Sequence, residues 1–511
     1  MPKAFMGFMA MVLTIPMLVT AYTSAIQVQA MVHPQLLAAA AQNPAAMVKV
    51  IVQKSAKTDA PDKMVEQLGG TVTSQLNIIN AFVAKIPAGS ISRLAAAGNI
   101  RAITPDAKVV DTSKEDYAKA TEATEATDAG TNSNLISAYP QSTGATSLWN
   151  NNIQGQGVTV AVVDSGVNGL HEDLKGSNGA SRVVVNKEFS PSTDTHDGYG
   201  HGTHVAGIIG GNGARSNGGY IGMAPKVNLI NVKVGDDNGN LQESDVIAGL
   251  EWIYNNHTAQ NIKVVNLSLT SSLFSVYHIS PLDAAAEILW FNRIVVVVAA
   301  GNNGIAALNP PANDPFVITV GAVDDKGTPG ISDDTIPSYS AYGVVIGGVG
   351  LGTLIKPDLV APGTNIISTL ASTKAVVYRD HAPNRVNNYY FRMSGTSMAA
   401  PVVAGAVALL LQDEPTLNPD QVKYRLKATA NHNPLQWQYN LLKAGAGYLD
   451  IYAAVNSNTN QTANTGQPAS LLLWTGSTPP IWGGGTTWNS VNWSSVNWSS
   501  VNWSSVNWSN G

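Results

Sequence analysis

Between about Leu148 and Asn456, runs of β-branched and aliphatic residues alternate with helical stretches, and this alternation restricts the fold more than any other feature. The runs are nearly continuous, as in VTVAVVD, VNLINVKV, IKVVNLSL, IVVVVAAG and FVITVGAV. Strands of this kind are buried on both sides, and the helices between them serve as crossovers. The pattern therefore predicts an α/β fold with a parallel sheet covered on both faces. Ligands bind such sheets beyond the carboxyl ends of the strands.

The stretch FRMSGTSMAAPVVAGAVALLL, from Phe391 to Leu411, predicts one further element of this core. It carries no charge from Met398 onward, which is typical of a central helix buried on all sides. Ser394, Thr396 and Ser397 stand at its beginning. They are either caps for unpaired N–H groups or a nucleophile held at the positive end of the helix.

Composition limits the function classes. The 511 residues include no cysteine, so disulfides, thiol catalysis and thiolate metal sites are excluded. A net charge of −5 gives no reason to expect a nucleic-acid partner. Residues 1–30 combine Lys3, a long apolar run and small residues ending at Ala30, which predicts a secretory signal peptide and an extracellular location. An uncleaved membrane anchor is the alternative.

The segment before the main domain predicts a separate unit. Residues 46–110 follow the order β-α-β-β-α-β, which is a ferredoxin-like α+β pattern, and we assign residues 31–112 to this domain. Residues 113–145 are polar at first and predict an exposed linker leading into the main domain, 146–456.

The last part of the chain, residues 457–511, has a different composition. Its V-N-W-S-S repeat places Trp493, Trp498, Trp503 and Trp508 five residues apart, a period that fits neither a helix nor a strand. This predicts a low-complexity tail. The alternative, functional interpretation is that the tryptophans contact a cell surface or carbohydrate.

Three residue types suited to nucleophilic catalysis lie in glycine-rich frames. Asp164 ends an apolar strand, His201 begins a small-residue helix, and Ser397 begins the central helix. His201 and His204 are three residues apart, so a metal pair is a rival interpretation, although it requires further ligands.

The segments VVDSGV, HGTHVAG and GTSMAAPVVAG resemble the three signature segments of the subtilisin-like serine proteases, the subtilase or peptidase S8 family. The resemblance continues through NVKV, GLEW, NLSL, VAAGN, TVGAV and KPDLVAPG, from about Gly155 to Ala430. It implies a subtilisin-like fold with a parallel, seven-stranded-type sheet and helices on both faces. The domain at 31–112 resembles the inhibitory propeptide of this family, of the I9 type.

The resemblance also implies roles for individual residues. Ser397 is the expected nucleophile, His201 the general base and acid, and Asp164 the group that orients the imidazole. Asn302 is the expected side-chain donor to the oxyanion. His204 is expected to be a buried structural residue.

Two segments resemble the strands that bind an extended peptide in this family. The first is Gly239, Asn240 and Leu241, and the second is Ser268, Leu269 and Thr270. Thr270 departs from the family pattern, which has glycine there, and would narrow or shift the first specificity pocket. Ala300 and Gly301 are expected to form the opposite wall. With no charge expected at the base, we predict apolar or aromatic specificity.

The expected partners are protein or peptide substrates and the chain's own propeptide, acting as an intramolecular inhibitor of a monomer. Self-cleavage is expected between Lys108 and Ser113. No cofactor is required and no metal ligand is assigned, but calcium remains open because of acidic pairs such as Asp236-Asp237 and Asp324-Asp325. The alternative functions are a catalytically inactive binding protein and a self-processing surface protein that acts through its tryptophan tail.

Overall fold

The computed structural model describes residues 30–111, 135–192, 194–346, 353–432 and 441–473. The signal-peptide prediction (except for Ala30), most of the predicted linker and the tryptophan repeats lie outside the described residues. The described chain forms a front domain and a larger catalytic-type domain, which share an apolar interface.

The front domain is a five-stranded sheet with helices on one face. Its elements are β1 (Met31–Val32), α1 (Pro34–Gln42), β2 (Met47–Lys54), α2 (Ala60–Gln67), β3 (Thr71–Leu76), β4 (Ala81–Pro87), α3 (Ile91–Ala96) and β5 (Ile100–Pro105). The strand order is β1-β5-β2-β4-β3. Without the short β1, this is the antiparallel ferredoxin-like arrangement that the sequence predicted.

Two details of the front domain differ from the sequence expectation. The helix α1 was not predicted, although it begins with two favourable residues: Pro34 stands at the first helical position, and His33 caps the helix before it. The predicted closing strand is divided in two, because β6 (Lys108–Asp111) leaves the front sheet after β5 and joins the other domain.

The larger domain is built on a seven-stranded, wholly parallel sheet, which confirms the predicted fold class. Its strands are β7 (Thr159–Asp164), β8 (Val183–Glu188), β9 (Asn228–Lys233), β11 (Ile262–Leu267), β13 (Val295–Ala299), β14 (Ile318–Val323) and β17 (Leu359–Pro362). They lie in the order β17-β14-β13-β11-β7-β9-β8.

Smaller strands flank this sheet and complete the walls of the cleft. They are β10 (Leu241–Gln242), β12 (Leu269–Ser271), β15 (Gly343–Ile346), β16 (Thr353–Lys356), β18 (Ile366–Thr369) and β19 (Tyr390–Met393). The helices of the domain are α4 (Tyr139–Ser142), α5 (Ala145–Trp149), α6 (His201–Gly210), α7 (Glu243–Asn256), α8 (Pro281–Phe291), α9 (Val376–Asp380), α10 (Thr396–Asp413), α11 (Pro419–Thr429), α12 (Leu441–Ala444) and α13 (Ile451–Val455).

The central helix α10 is buried from Thr396 to Leu411, as the sequence predicted. It packs against α6 and against β11, β13, β14 and β17. A Cβ added at Gly405 would lie 2.5 Å from Met223 Cβ, so the backbone of α10 approaches its neighbours very closely there. Among the described helices, α10 alone is long and apolar enough to cross a bilayer, but 89% of its apolar window is buried inside the domain.

The two domains contact each other through one face of the front sheet. Along β2, Val50 and Val52 belong to the front domain's own core, whereas Ile51 belongs to the core of the larger domain. Successive residues of a strand point to opposite faces, so one strand serves two cores. The larger domain contributes α7 and α8 to this interface.

The first residues of the predicted tail are part of the folded domain. Residues 457–473 continue from α13 across the surface and end in a short 3₁₀ helix, Leu471–Leu473. Leu472 and Leu473 are buried in the core shared by both domains. The folded chain therefore continues at least to Leu473, beyond the tail boundary placed at Ser457.

Candidate active site

The pairing of Asp164 with His201 follows from the topology. Asp164 is the last residue of the inner strand β7, and His201 is the first residue of α6. His201 Nδ1–H donates to Asp164 Oδ1 at 2.7 Å, and both side chains are buried. A Cβ added at Gly202 would lie 2.2 Å from the Gly166 carbonyl oxygen, so only glycine allows α6 to approach the end of β7 this closely.

A second buried carboxylate, Asp197, holds the loop before α6. Its Oδ1 accepts hydrogen bonds from Gly200 N–H at 2.7 Å and from Ser165 Oγ at 2.8 Å. Its Oδ2 accepts from the backbone and the hydroxyl of Thr203 at 2.8 and 2.7 Å. Asp197 thus links the first turn of α6 to the residue after Asp164. The sequence analysis assigned it no such role.

Ser397 lies in the first turn of α10, at the carboxyl end of the parallel sheet. Its hydroxyl donates to the Ser268 carbonyl oxygen at 2.9 Å, and Ser268 Oγ donates to the Ser397 carbonyl oxygen at 2.8 Å. This reciprocal pair fixes the start of α10 against the end of β11. Within the described residues, the second ring nitrogen of His201, Nε2, is buried and makes no hydrogen bond.

Asn302 follows β13 and is held by the same helix. Its Oδ1 accepts hydrogen bonds from the backbone of Thr396 at 2.9 Å and from the Thr396 hydroxyl at 3.0 Å. Its amide nitrogen, Nδ2, is buried and has no partner among the described residues. An unpaired buried donor is costly, so this geometry favours an acceptor at the position that Asn302 Nδ2 faces.

His201 and His204 differ in electrostatics although they share one helical turn. Burial lowers the pKa of His201, but the Asp164 carboxylate and its hydrogen bond, with weaker contributions from Asp111 and Asp197, raise it to about 9. Burial and the neighbouring His201 lower the pKa of His204 to about 3. His204 Nε2–H donates to the carbonyl oxygens of Ile366 and Phe391 at 3.1 and 3.0 Å. Its predicted burial is confirmed.

The front domain's strand β6 lies between the two segments that the sequence predicts to bind a peptide. It pairs antiparallel with β10 on one side, Val109 lying opposite Leu241, and with β12 on the other, Val110 lying opposite Thr270. This places Asp111 close enough to His201 to affect its pKa. The chain's own strand thus lies where an extended peptide would add to the two edges.

The first peptide-binding segment is shifted relative to the sequence expectation. Leu241 and Gln242 pair with β6, whereas Gly239 and Asn240 lie in the preceding turn. Asp236 accepts hydrogen bonds from the backbone and side chain of Asn240, which closes this turn. Sequence reasoning missed Gln242, and no motif in the segment marks its pairing.

The second segment and the residues predicted to face it follow two neighbouring strands of the sheet, as the sequence suggested. Ser268, Leu269 and Thr270 follow β11, and Ala300 and Gly301 follow the neighbouring strand β13. A Cβ added at Gly301 would lie 3.8 Å from the methyl carbon of Thr270. The Thr270 methyl group therefore lies close to Gly301, one of the residues predicted to form the opposite wall of the first pocket.

The described residues include no group of three or more histidine, aspartate or glutamate side chains arranged to hold a metal ion. The acidic pairs considered for calcium have protein partners instead. Lys233 lies 2.5 Å from Asp237, and Lys326 lies 2.5 Å from Asp324. With a lysine ammonium group beside each of them, these acidic pairs do not form the oxygen-rich cage that calcium prefers.

Comparisons with known proteins found a matching family and several similar chains. The model of the Subtilase family matches residues 155–467. The serine protease AprX of Bacillus subtilis (strain 168) is 43% identical over 282 residues, which are 54% of this chain and 61% of AprX. Subtilisin DY of Bacillus licheniformis is 33% identical over 305 residues, which are 59% of this chain and 92% of that protein.

A solved structure gives the same fold. The crystal structure of fervidolysin from Fervidobacterium pennivorans, described as a keratinolytic enzyme related to subtilisin, has a TM-score of 0.58 and 25% sequence identity. The match covers 81% of this chain and 62% of that chain. The chain thus spans less than two thirds of the length of both AprX and fervidolysin.

Proposed function

Because the chain belongs to the Subtilase family, we propose that it is a secreted serine endopeptidase made as a self-processing zymogen. The observation that carries this proposal is the set of groups around the start of α10. Ser397 lies there beside the Asn302 amide, which Thr396 orients. Among the described residues, neither Asn302 Nδ2 nor Nε2 of the His201 that pairs with Asp164 has a hydrogen-bond partner. Secretion is supported by the sequence of residues 1–30.

The proposed reaction uses each of these groups in turn. Ser397 Oγ leaves its hydrogen bond to Ser268, transfers its proton to His201 Nε2 and attacks the substrate carbonyl carbon. The tetrahedral oxyanion accepts hydrogen bonds from Asn302 Nδ2 and from the Ser397 backbone N–H. His201 then donates the proton to the leaving amine, and water releases the acyl group by the reverse sequence. Asp164 keeps the Nδ1–H tautomer in place throughout.

The position of β6 supports the proposed inhibition by the front domain. Its backbone uses the hydrogen-bonding edges that a substrate would need, and its last described residue, Asp111, lies beside His201. Self-cleavage between Lys108 and Ser113 would then release a new carboxyl terminus that stays in the cleft as a product-like inhibitor. Asp106 adds a second attachment by accepting hydrogen bonds from the backbone and hydroxyl of Ser244 at the start of α7.

The test is covalent labelling of the processed protein with a fluorophosphonate, followed by intact mass. One adduct is expected on the processed native protein, and peptide mapping should place it on Ser397. Ser397→Ala should take up no label, but it also cannot process itself, so the mapped position of the adduct decides. Ser394→Ala is the matched control, because Ser394 lies three residues earlier and caps the Asn365 backbone, and it should retain the adduct. A folded, fully processed protein that takes up no label would contradict the proposal.

A further inference from the structure

The segment Pro468–Leu473 lies between the two domains, directly after the last residue that the family model matches. On the side of the catalytic domain, Tyr277 donates its hydroxyl to the Pro468 carbonyl at 3.1 Å. Ser470 N–H donates to both carboxylate oxygens of Glu287, at 3.1 and 2.8 Å. These contacts attach the segment to the elements around α8, so the segment is part of the catalytic domain.

The same segment also binds the front domain. Gln53 on β2 donates its amide to the Leu472 carbonyl at 2.9 Å, and Arg101 on β5 donates its guanidinium to the Leu471 carbonyl. Gln53 is 1% exposed, so its hydrogen bond is shielded from water. Leu472 is fully buried in the apolar cluster that also contains Ile51 of the front sheet.

These front-domain contacts are lost when the front domain departs. The carbonyl groups of Leu471 and Leu472 then lose their hydrogen bonds from Arg101 and Gln53. The apolar surface around Leu472 becomes exposed to water. The contacts on Tyr277 and Glu287 would remain, because both partners lie within the catalytic domain. The segment therefore stabilises the bound state of the front domain specifically, through partners other than the two strands that pair with β6.

We propose that Pro468–Leu473 is a second binding surface for the front domain, and that it slows the front domain's departure after self-cleavage. The inference rests on the proposed function, because it concerns release of the inhibitor from the proposed peptidase. When a rigid partner is held at two sites, breaking one contact leaves its two sides close together, so the contact re-forms at a high effective concentration. Cutting the chain near Asp111 frees the end of β6 but leaves both attachments in place.

The first experiment measures the lag between self-cleavage and the appearance of peptidase activity. A chain that ends at Leu473 keeps the segment and should show the lag of the full chain. A chain that ends at Gln467 lacks it and should show a lag shorter by about tenfold or more, the usual effect of losing a buried, charge-assisted hydrogen bond. Equal lags for the two truncated chains would overturn the proposal.

A second set of variants changes only the front domain. Arg101→Met and Gln53→Met should each shorten the lag, whereas Arg93→Met, an exposed arginine on α3, should not. All three give the same mature enzyme, so the final activity should be equal. In the chain that ends at Gln467, Arg101→Met should have no further effect. An equal effect of Arg101→Met in both chains would show that Arg101 acts elsewhere.

A third measurement separates failure of this inference from failure of the proposed function. Absence of activity at all times in every chain would contradict the proposed function only. In the uncleavable Ser397→Ala chain, Arg101→Met should speed hydrogen exchange of the amides at 471–473, and Arg93→Met should not. Unchanged exchange in Arg101→Met would overturn the inference whether or not the protein is a peptidase.

Discussion

The front domain and the catalytic domain bury their surfaces in different ways. The catalytic domain encloses its central helix α10 on all sides, whereas the front sheet covers one face with its own helices and the other with the catalytic domain. The two domains also contribute different groups to the candidate active site. The His201 and Asn302 nitrogens without partners among the described residues belong to the catalytic domain, and the strand β6 that pairs with β10 and β12 comes from the front domain. If the front domain is the proposed inhibitor, it depends on its target for part of its own stability.

The largest expected effect separates the two faces of the front sheet. In the Ser397→Ala chain, Phe82→Ala removes a side chain from the front domain's own core and should lower its free energy of unfolding by about 3–5 kcal/mol. Ile51→Ala instead removes a side chain that contacts the catalytic domain. Hydrogen exchange should therefore rise throughout the front domain for Phe82→Ala, but mainly at the interface for Ile51→Ala. The same exchange pattern in both variants would contradict the division into two faces.

The second prediction concerns the catalytic domain alone. Asn302→Ala removes the unpaired amide donor, and in this family loss of such a donor is known to lower kcat about 10²–10³-fold, equivalent to about 2.7–4 kcal/mol. KM should change little, because the donor acts on the transition state. Steady-state kinetics on the processed protein measures both values. The control is Asn303→Ala, an exposed neighbour that should retain full activity; an equal loss in both variants would indicate a general disturbance of the loop.

The third prediction concerns Thr270, whose strand pairs with β6 and is proposed to form a wall of the first pocket. Thr270→Gly should remove the side chain that extends toward Gly301 and raise kcat/KM for large aromatic side chains relative to alanine by about tenfold. Competing peptide substrates that differ only in this side chain give the ratio. An unchanged ratio would mean that Thr270 does not limit the pocket.

The smallest expected effect concerns Asp111, a front-domain residue that alters the chemistry of the catalytic domain. Asp111 contributes to the raised pKa of His201, and His201 must be neutral to accept a proton. Asp111→Asn should therefore lower this pKa and move the pH profile of self-cleavage toward lower pH. A full pKa unit would change the neutral fraction tenfold, and Asp111 contributes less than Asp164, so a gain well below tenfold at pH 7 is expected. The processed enzyme should keep the same profile in both chains, since Asp111 has then left.

Much of the fold was predictable because its signals are local. Continuous apolar strands indicated the parallel sheet, and Asp164, His201 and Ser397 each stand where a buried element begins or ends. The register of the first peptide-binding segment was not predictable, because the Asp236–Asn240 contacts that close its turn leave no periodic pattern. The segment at 457–473 was also missed. Its composition is that of a loop, and its burial depends on partners as distant in sequence as Gln53 and Glu287.

The close packing of α6 and α10 has a consequence for how the protein loses activity. The proposed base, His201, and the proposed nucleophile, Ser397, each lie in the first turn of one of these helices. Both helices belong to the buried centre of the domain rather than to surface loops. Partial loosening of the surface should therefore leave the two groups aligned. Thermal inactivation should instead require opening of the central cooperative unit, so its rate should follow the global unfolding rate of the catalytic domain.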